Sequence, residues 1–566
     1  MAPRQGSSIL SLRPCSAILL ICIAALLVAC TPMAVRPSSQ ASPLPRAPKR
    51  LTAALQGDPK SLGTEAGTFA RPLRGLLHAG LANPDERGYV RAQLAEAVPT
   101  VENGLWKLLP DGRMETTWRI HSGAQWHGGS PFTSDDVLFT AQVAQDRELP
   151  SFRDAAYASV ESVVAPDPLT VVVTWKTLYI NADQLFGNPL PRYLLAVPAR
   201  EEKATFTELP YWNLSFVGTG PFQLKEWVPG IHVLLTANDA YPLGRPVIDE
   251  LDVKFIPSSN TLITNLLAGD VELTLGQTLS FDQALEMRDR WQQGHVEVVP
   301  RPGWTVIYPQ FTYTNPPAVA DVRFRRALMH AIDRQEMVDT LVAGLSSVAH
   351  SLLPLGRPDY ADIKARAPRY EYDPRMAAQM IEELGLVKGA DGGWVDSAGK
   401  RLSVEVRTSG ENDNNVKALH SVVDYWQRAG VAVDAVFVPS QQRDREYLAT
   451  FPGFILSRHT ADETYFVNFI SAKVATRENS FTGGDTGYHN PEYDELYERY
   501  SRTIPLQERI EALGKLDYHL ADQAVAMGLY YDNLVAVIGN RLTNVVVPQY
   551  YGTQFTWSAH LWDVSG

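Results

Sequence analysis

The sequence predicts an α/β protein of mixed sheets flanked by helices, and three stretches carry that reading. Leu402–Arg407 alternates as a strand, Val416, Leu419, Val423 and Trp426 mark a helix that Gly430 stops, and Val431–Val438 is a second strand. A β-α-β unit of this spacing implies parallel strands joined by a right-handed crossover. Leu169–Trp175 (LTVVVTW) is a β-branched run bounded by prolines, and Val233–Thr236 and Leu251–Ile256 read as further strands. Helical spacing recurs from Asp321 to Ala343 and from Pro374 to Leu384.

Each element has its own signals. In the first helix Phe324, Leu328, Ile332, Val338 and Leu341 form the apolar face. Arg323, Arg325, Arg326 and Arg334 occupy other positions and read as a solvated face. Asp321 can cap this helix and Gly344 can end it. Pro374 suits the first position of the second helix, with Asp373 as cap and Gly385 as stop. Phe454–Ser457 is a candidate third strand of the crossover sheet. Open α/β sheets bind ligands beyond the carboxyl ends of their strands. Those ends are Thr408, Ser409 and Gly410, then Pro439–Ser440, then Arg458–Asp462.

The amino-terminal segment reads as export machinery. Arg4 and Arg13 flank the apolar run Ala17–Ala29, which is too short to span a hydrocarbon core of about 30 Å but suits a signal peptide. Leu27-Val28-Ala29-Cys30 resembles a lipobox, so Cys30 is expected to carry a lipid and to hold the chain at the outer face of the cytoplasmic membrane or in the periplasm. Cys15 and Cys22 leave with the leader, and no thiol then remains for a disulfide or for zinc. Residues 30–50, rich in proline and serine and free of aromatics, form a tether. A net charge of −12 with no basic run after the tether argues against nucleic acid. The chain is 45% hydrophobic and 10% aromatic, enough for large packed cores.

Four segments carry a family resemblance. Trp118–Thr140 (WRIHSGAQWHGGSPFTSDDVLFT) places a turn at Gly128, Gly129 and Pro131 before a capping-box start, Thr133 with Asp136. Gly218-Thr219-Gly220-Pro221-Phe222 runs on to Trp227 and Pro229-Gly230. Pro316–Arg334 (PPAVADVRFRRALMHAIDR) and Gly487–Leu496 (GYHNPEYDEL) complete the set. Together, in this order, they resemble the family 5 extracellular solute-binding proteins of the oligopeptide, dipeptide and nickel type, from about Leu51 to Asp532.

The resemblance implies a periplasmic-binding-protein-like fold of type II, two lobes that close by hinge motion, with an extra inserted domain. Residues 51–300 would form lobe I, with the insert at about 76–204. Residues 301–525 would form lobe II, and 526–566 would return to lobe I. It implies a monomer whose partners are a permease and ATPases of an ABC importer. The chain itself lacks a GxxxxGK[ST] phosphate loop, so it is the receptor only. The expected cargo is a peptide, with a nickel chelate, an opine or an oligosaccharide as alternatives.

The same resemblance places the ligand residues. Asp462 matches the aspartate that pairs with a peptide's α-ammonium in peptide-binding members, though the aromatic before it and the Asp-Pro after it are missing; otherwise it is a loop acid. Arg458 either grips a ligand carboxylate or bridges to the opposite lobe. His459 senses pH, binds metal or is structural. Tyr488 and Asn490 sit in a loop facing the cleft, where Tyr488 either bonds ligand or packs on Pro491. Glu65–Phe69, with Glu65, Thr68 and Phe69 as contacts, forms the other wall by analogy. Trp212, Trp304 and Trp426 are available to stack a sugar, with Trp426 better explained as helix core.

Enzyme signatures are missing from the sequence: no HExxH, no GxSxG and no GxGxxG. His121 and His127 lack a cysteine or carboxylate at ligand spacing, so neither a metal nor another cofactor is expected. An extracellular hydrolase is the rival class.

Overall fold

A computed structural model describes residues 47–63, 70–276, 278–442, 444–549 and 555–565. The leader, Cys30 and nearly all of the tether therefore lie outside the described residues, as do Glu65, Thr68 and Phe69. Lys49–Gly566 forms a single compact unit, and it is this unit that follows.

In chain order the strands of its two larger sheets are β1 (Arg50–Leu55), β2 (Trp106–Leu108), β3 (Met114–Arg119), β4 (Val160–Asp167), β5 (Thr170–Trp175), β6 (Phe222–Val228) and β7 (His232–Ala237). They continue as β8 (Glu250–Phe255), β9 (Leu273–Thr274), β10 (Gly294–Pro309), β11 (Ser403–Ser409), β12 (Ala432–Val438), β13 (Phe454–Thr460) and β14 (Met527–Gly539). The helices that matter to the site are α1 (Ala70–Leu77), α2 (Ser134–Gln145), α3 (Val322–His330), α4 (Arg334–Leu341), α5 (Pro374–Glu382), α6 (Asp413–Arg428), α7 (Pro491–Arg502) and α8 (Leu506–Asp522).

Ten strands form one mixed sheet, ordered β12-β11-β13-β10-β14-β9-β1-β8-β7-β6. The crossover unit predicted from spacing is present: β11 and β12 pair in parallel from Ser403–Ala432 to Ser409–Val438, with α6 between them in sequence. β13 joins β11 in parallel on its other side. The predicted strand at Leu169–Trp175 is β5, central in a separate antiparallel sheet of order β2-β3-β5-β4. Inward-facing Val171, Val173 and Trp175 alternate with partly exposed neighbours, as a one-sided sheet requires.

Two strands stand out for length. β10 and β14 run antiparallel from Gly294–Gly539 to Ile307–Met527, and their register shifts between Pro300 and Trp304. One end of this pair packs in the core that includes Val299, Ala536 and Ile538, and the other in the core that includes Ile307, Met527 and Leu529.

The helix predicted over Asp321–Ala343 is two helices. Asp321 caps α3 by accepting from Arg323 N, and Asp333 caps α4 by accepting from Glu336 N at 2.9 Å. A local side-chain acceptor inside the periodic run ended one helix and started the next, a competition that periodicity alone does not weigh.

Arg323 is exposed as expected, but two of the other arginines depart from the solvated face expected of them. Arg325 is 2% exposed and donates to Gln523, Ala524, Val319 and Ala320 carbonyls. Arg334 is 4% exposed and donates to the Ala349, Gly528 and Tyr370 carbonyls. Both aim their donors at backbone oxygens inside the fold. α5 follows expectation, with Asp373 accepting from Arg375 N and Met376 N and Gly385 at φ +84°.

Candidate functional site

The first two motifs explain themselves by what they hold. Gly218 and Gly220 lie against the end of α1: a Cβ on Gly218 would sit 1.9 Å from Leu77 O, and one on Gly220 2.4 Å from His78 N. Thr219 Oγ1, between them, accepts from Ala79 N at 3.1 Å and donates to Ala79 O at 2.7 Å. His127, from the first motif, clamps both glycines. Gly218 N–H donates to His127 Nδ1 at 3.1 Å, which leaves the proton on Nε2 to donate to Gly220 O at 3.1 Å. Burial holds this imidazole neutral, with its pKa lowered to about 4. Trp126 stacks on His78 at 5.9 Å. The first two motifs therefore fix α1 and the residues just after it.

α1 borders a cavity of about 730 Å³. Its walls are drawn from Leu62 to Phe216, with Asp462 and Thr464 as the contributors from the carboxyl-terminal half. Aromatic Phe152, Tyr157, Tyr211, Trp212 and Phe216 line it alongside polar Arg74, Asn83 and Asp154. That size and mixture suit an enclosed organic ligand, for which about 300–1,000 Å³ is usual.

Asp462 is 1% exposed and begins a short helical turn, Glu463–Phe469. Its Oδ1 accepts from Thr464 N at 2.8 Å and from Thr464 Oγ1 at 2.5 Å, while its Oδ2 is buried with no hydrogen-bond partner. Burial raises its pKa from 3.8 to about 6. A carboxylate oxygen left dry and unpaired is costly unless a cation meets it.

The other predicted residues separate. Thr408, Ser409 and Arg458 line a distinct cavity of about 150 Å³ at the carboxyl ends of β11–β13, with Asn412, Asn415 and Val438. Thr408 Oγ1 there donates to Leu456 O at 2.8 Å. Arg458 grips Asp532 of β14, Nε at 3.1 and 3.0 Å from its two oxygens and Nη2 at 2.9 Å. Gly410 donates its N–H to Val438 O. His459 packs its ring on Tyr308 and Tyr465. Tyr488 is 6% exposed, its hydroxyl 2.9 Å from His519 Nε2 and its ring against Phe311 and Tyr493. Asn490 caps α7 by accepting from Tyr493 N. Among the tryptophans, Trp426 is fully buried on α6, Trp304 is 2% exposed, and Trp212 alone of the three lines the 730 Å³ cavity.

Sequence reasoning passed over Arg74, Tyr157 and Thr464. They come from three distant segments, and no local pattern joins them.

The family model described as bacterial extracellular solute-binding proteins, family 5 Middle, matches residues 96–500. The chain belongs to this family. Its members are non-enzymatic, extracellular or periplasmic receptors that bind small solutes and work with the permease and ATPase of ABC importers. Among curated relatives of this solute-binding protein, the oligopeptide-binding protein AppA of Bacillus subtilis is 25% identical over 460 residues, covering 76% of this chain and 80% of that one. The structure of AppA from Bacillus subtilis in complex with a nonapeptide superposes with a TM-score of 0.66 at 21% identity, covering 92% of this chain and 100% of the other. NikA from Brucella suis in complex with Fe(III)-EDTA gives 0.72 at 19%, covering 91% and 100%. The two-lobed fold expected from the motifs is the fold of these neighbours. No helix among the described residues is long and apolar enough to cross a membrane, and no group of three or more His, Cys, Asp or Glu among them is placed to hold a metal.

Proposed function

We propose that this receptor captures a peptide by its amino terminus and delivers it to an ABC importer. The observation that carries the reading is Asp462, which lines a 730 Å³ cavity and whose Oδ2 is buried and unpartnered. An α-ammonium meets its needs: three N–H donors and a positive charge in a place poorly served by water. Oligopeptide binding in the AppA relative points the same way.

Closure of the two lobes supplies the rest of the cycle. Lobe I is taken as residues 51–300 with its insert and lobe II as 301–525, with 526–566 returning. The register shift of β10 at Pro300–Trp304 falls at this boundary and favours bending there. Lipid at Cys30 would keep the monomer beside its permease at the membrane's outer face.

Isothermal calorimetry with short synthetic peptides tests the reading. Asp462→Asn keeps the shape and removes the charge. Peptide affinity is expected to fall about tenfold or more, the loss of roughly one charge-assisted contact. Unchanged affinity overturns the assignment.

A further inference from the structure

A second cavity lies apart from the first. It has a volume of about 510 Å³ and shares no lining residue with the 730 Å³ cavity. Its walls come from the start of α4, from residues 347–355, from the short helix Ala361–Arg366 and from the stretch Arg369–Tyr372. Tyr531 of β14 completes them. Its hydroxyl lies 2.7 Å from Ser351 O and 3.1 Å from Leu353 O, which ties that wall to the large sheet.

In a molecule of net charge −12 these walls are basic. Arg334, Lys364 and Arg369 stand against two carboxylates, Asp333 and Glu371, so positive charge is in excess. Arg334 donates through its Nη atoms to the Ala349, Gly528 and Tyr370 carbonyls, and its Nε is buried without a partner. Lys364 Nζ is held by the Pro354, Leu355 and Arg357 carbonyls. Carbonyl oxygens fix a cation in place without neutralising it. Among the described residues none of these three cations lies within ion-pair distance of a carboxylate. His350 feels the field that results: burial, then Arg334 and Arg369, lower its pKa to about 4, and the ring is neutral at pH 7. A guanidinium can only donate, so the 3.4 Å contact with Arg334 Nη2 makes His350 Nδ1 an acceptor and leaves the ring proton on Nε2. Arg369 is exposed, and its planar fork matches the paired oxygens of a carboxylate or a phosphate.

We propose that this cavity is a second ligand site, for a small organic anion bearing a carboxylate or a phosphate. The anion takes paired hydrogen bonds from Arg369 and one from His350 Nε2, while Arg334 and Lys364 supply fixed positive charge. The volume falls within the range of about 300–1,000 Å³ usual for organic ligands. Tyr372, also on the walls, offers a ring to the carbon part of the guest. The site is independent of the peptide reading, since Asp462 and the first cavity take no part in it.

Calorimetric titration at about 0.15 M salt with citrate, glycerol phosphate and uncharged glycerol tests this. The proteins compared are wild type, Arg369→Gln, His350→Gln, Arg366→Gln and Arg74→Gln. Wild type is expected to bind at least one of the anions and not glycerol. Citrate alone identifies a carboxylate site, and glycerol phosphate alone a phosphate site. Arg369→Gln is expected to weaken the bound anion about tenfold or more, the scale of a lost paired contact, and His350→Gln to weaken it by less. Arg366 is an exposed cation off the walls, and Arg74 lines the first cavity. Their glutamine variants are expected to bind as wild type does. Failure of both anions to bind wild type overturns the proposal, as does equal binding of glycerol. Full affinity in Arg369→Gln overturns it too. A loss in Arg366→Gln, which marks diffuse attraction to surface charge, or in Arg74→Gln, which puts the anion in the first cavity, does the same.

Discussion

Asp462 carries the chemistry of this account at the scale of one residue. In the unliganded protein its pKa, raised by burial to about 6, lies above the ordinary 3.8, so the folded state favours the proton. The resulting stabilisation is fully present below pH 3.8 and is lost as pH rises through about 6. Ligand capture has the opposite sign, because the ammonium needs the ionised carboxylate. Affinity is therefore expected to be highest between about pH 6 and the ligand's own ammonium pKa near 8. It should weaken about tenfold per unit as pH falls below 6. Calorimetry across this range checks the profile, and Asp462→Asn should flatten its acid side. The sequence showed this residue because a family pattern marks its position, but nothing local showed that one oxygen would be buried dry. Tyr488 illustrates the opposite limit. Its motif was legible, while the direction of its side chain depended on His519, which the chain brings in from α8.

At the scale of elements, the crossover β11-α6-β12 was readable because strand alternation, helix spacing and the Gly430 stop all agree locally. The Asp321–Ala343 region was misread as one helix because Asp333 is both a polar face residue and a cap, and only the fold decides which. Arg325 and Arg334 were misread for a related reason: their partners are carbonyls of residues 319–370 and 523–528, invisible to a helical wheel. The contact of Gly218-Thr219-Gly220 with α1 makes a sharp prediction. Gly220→Ala places a Cβ against backbone atoms of Leu77 and His78, which cannot yield like a flexible side chain. Overpacking of this kind costs about 1–3 kcal/mol, to be measured by urea unfolding. Because α1 borders the cavity, peptide affinity should fall as well. Full stability with full affinity would show that the motif does not set the position of α1.

At the scale of the whole molecule, β10 and β14 connect the cores at either end of the large sheet, and Arg458–Asp532 ties β13 to β14 beside their register shift. Asp532→Asn leaves the Arg458 guanidinium with a weaker partner at that junction. About 1–3 kcal/mol of stability is expected to be lost, and the radius of gyration of the unliganded protein should rise in small-angle scattering as the lobes separate more freely. A variant unchanged in both would remove Arg458–Asp532 from the closing mechanism. The fold class and the two-lobed plan were legible because four motifs occur in family order. The composition of the cavity was not, because its walls come from residues 62 to 464 and only tertiary structure collects them.

In the proposed function a buried carboxylate recognises a peptide's free amino terminus inside the 730 Å³ cavity. Calorimetric titration of wild-type protein at pH 7 with matched peptides, free or acetylated at the amino terminus, measures this directly. Acetylation removes the ammonium and is expected to weaken binding about tenfold or more. Equal affinity for the two forms would contradict the account.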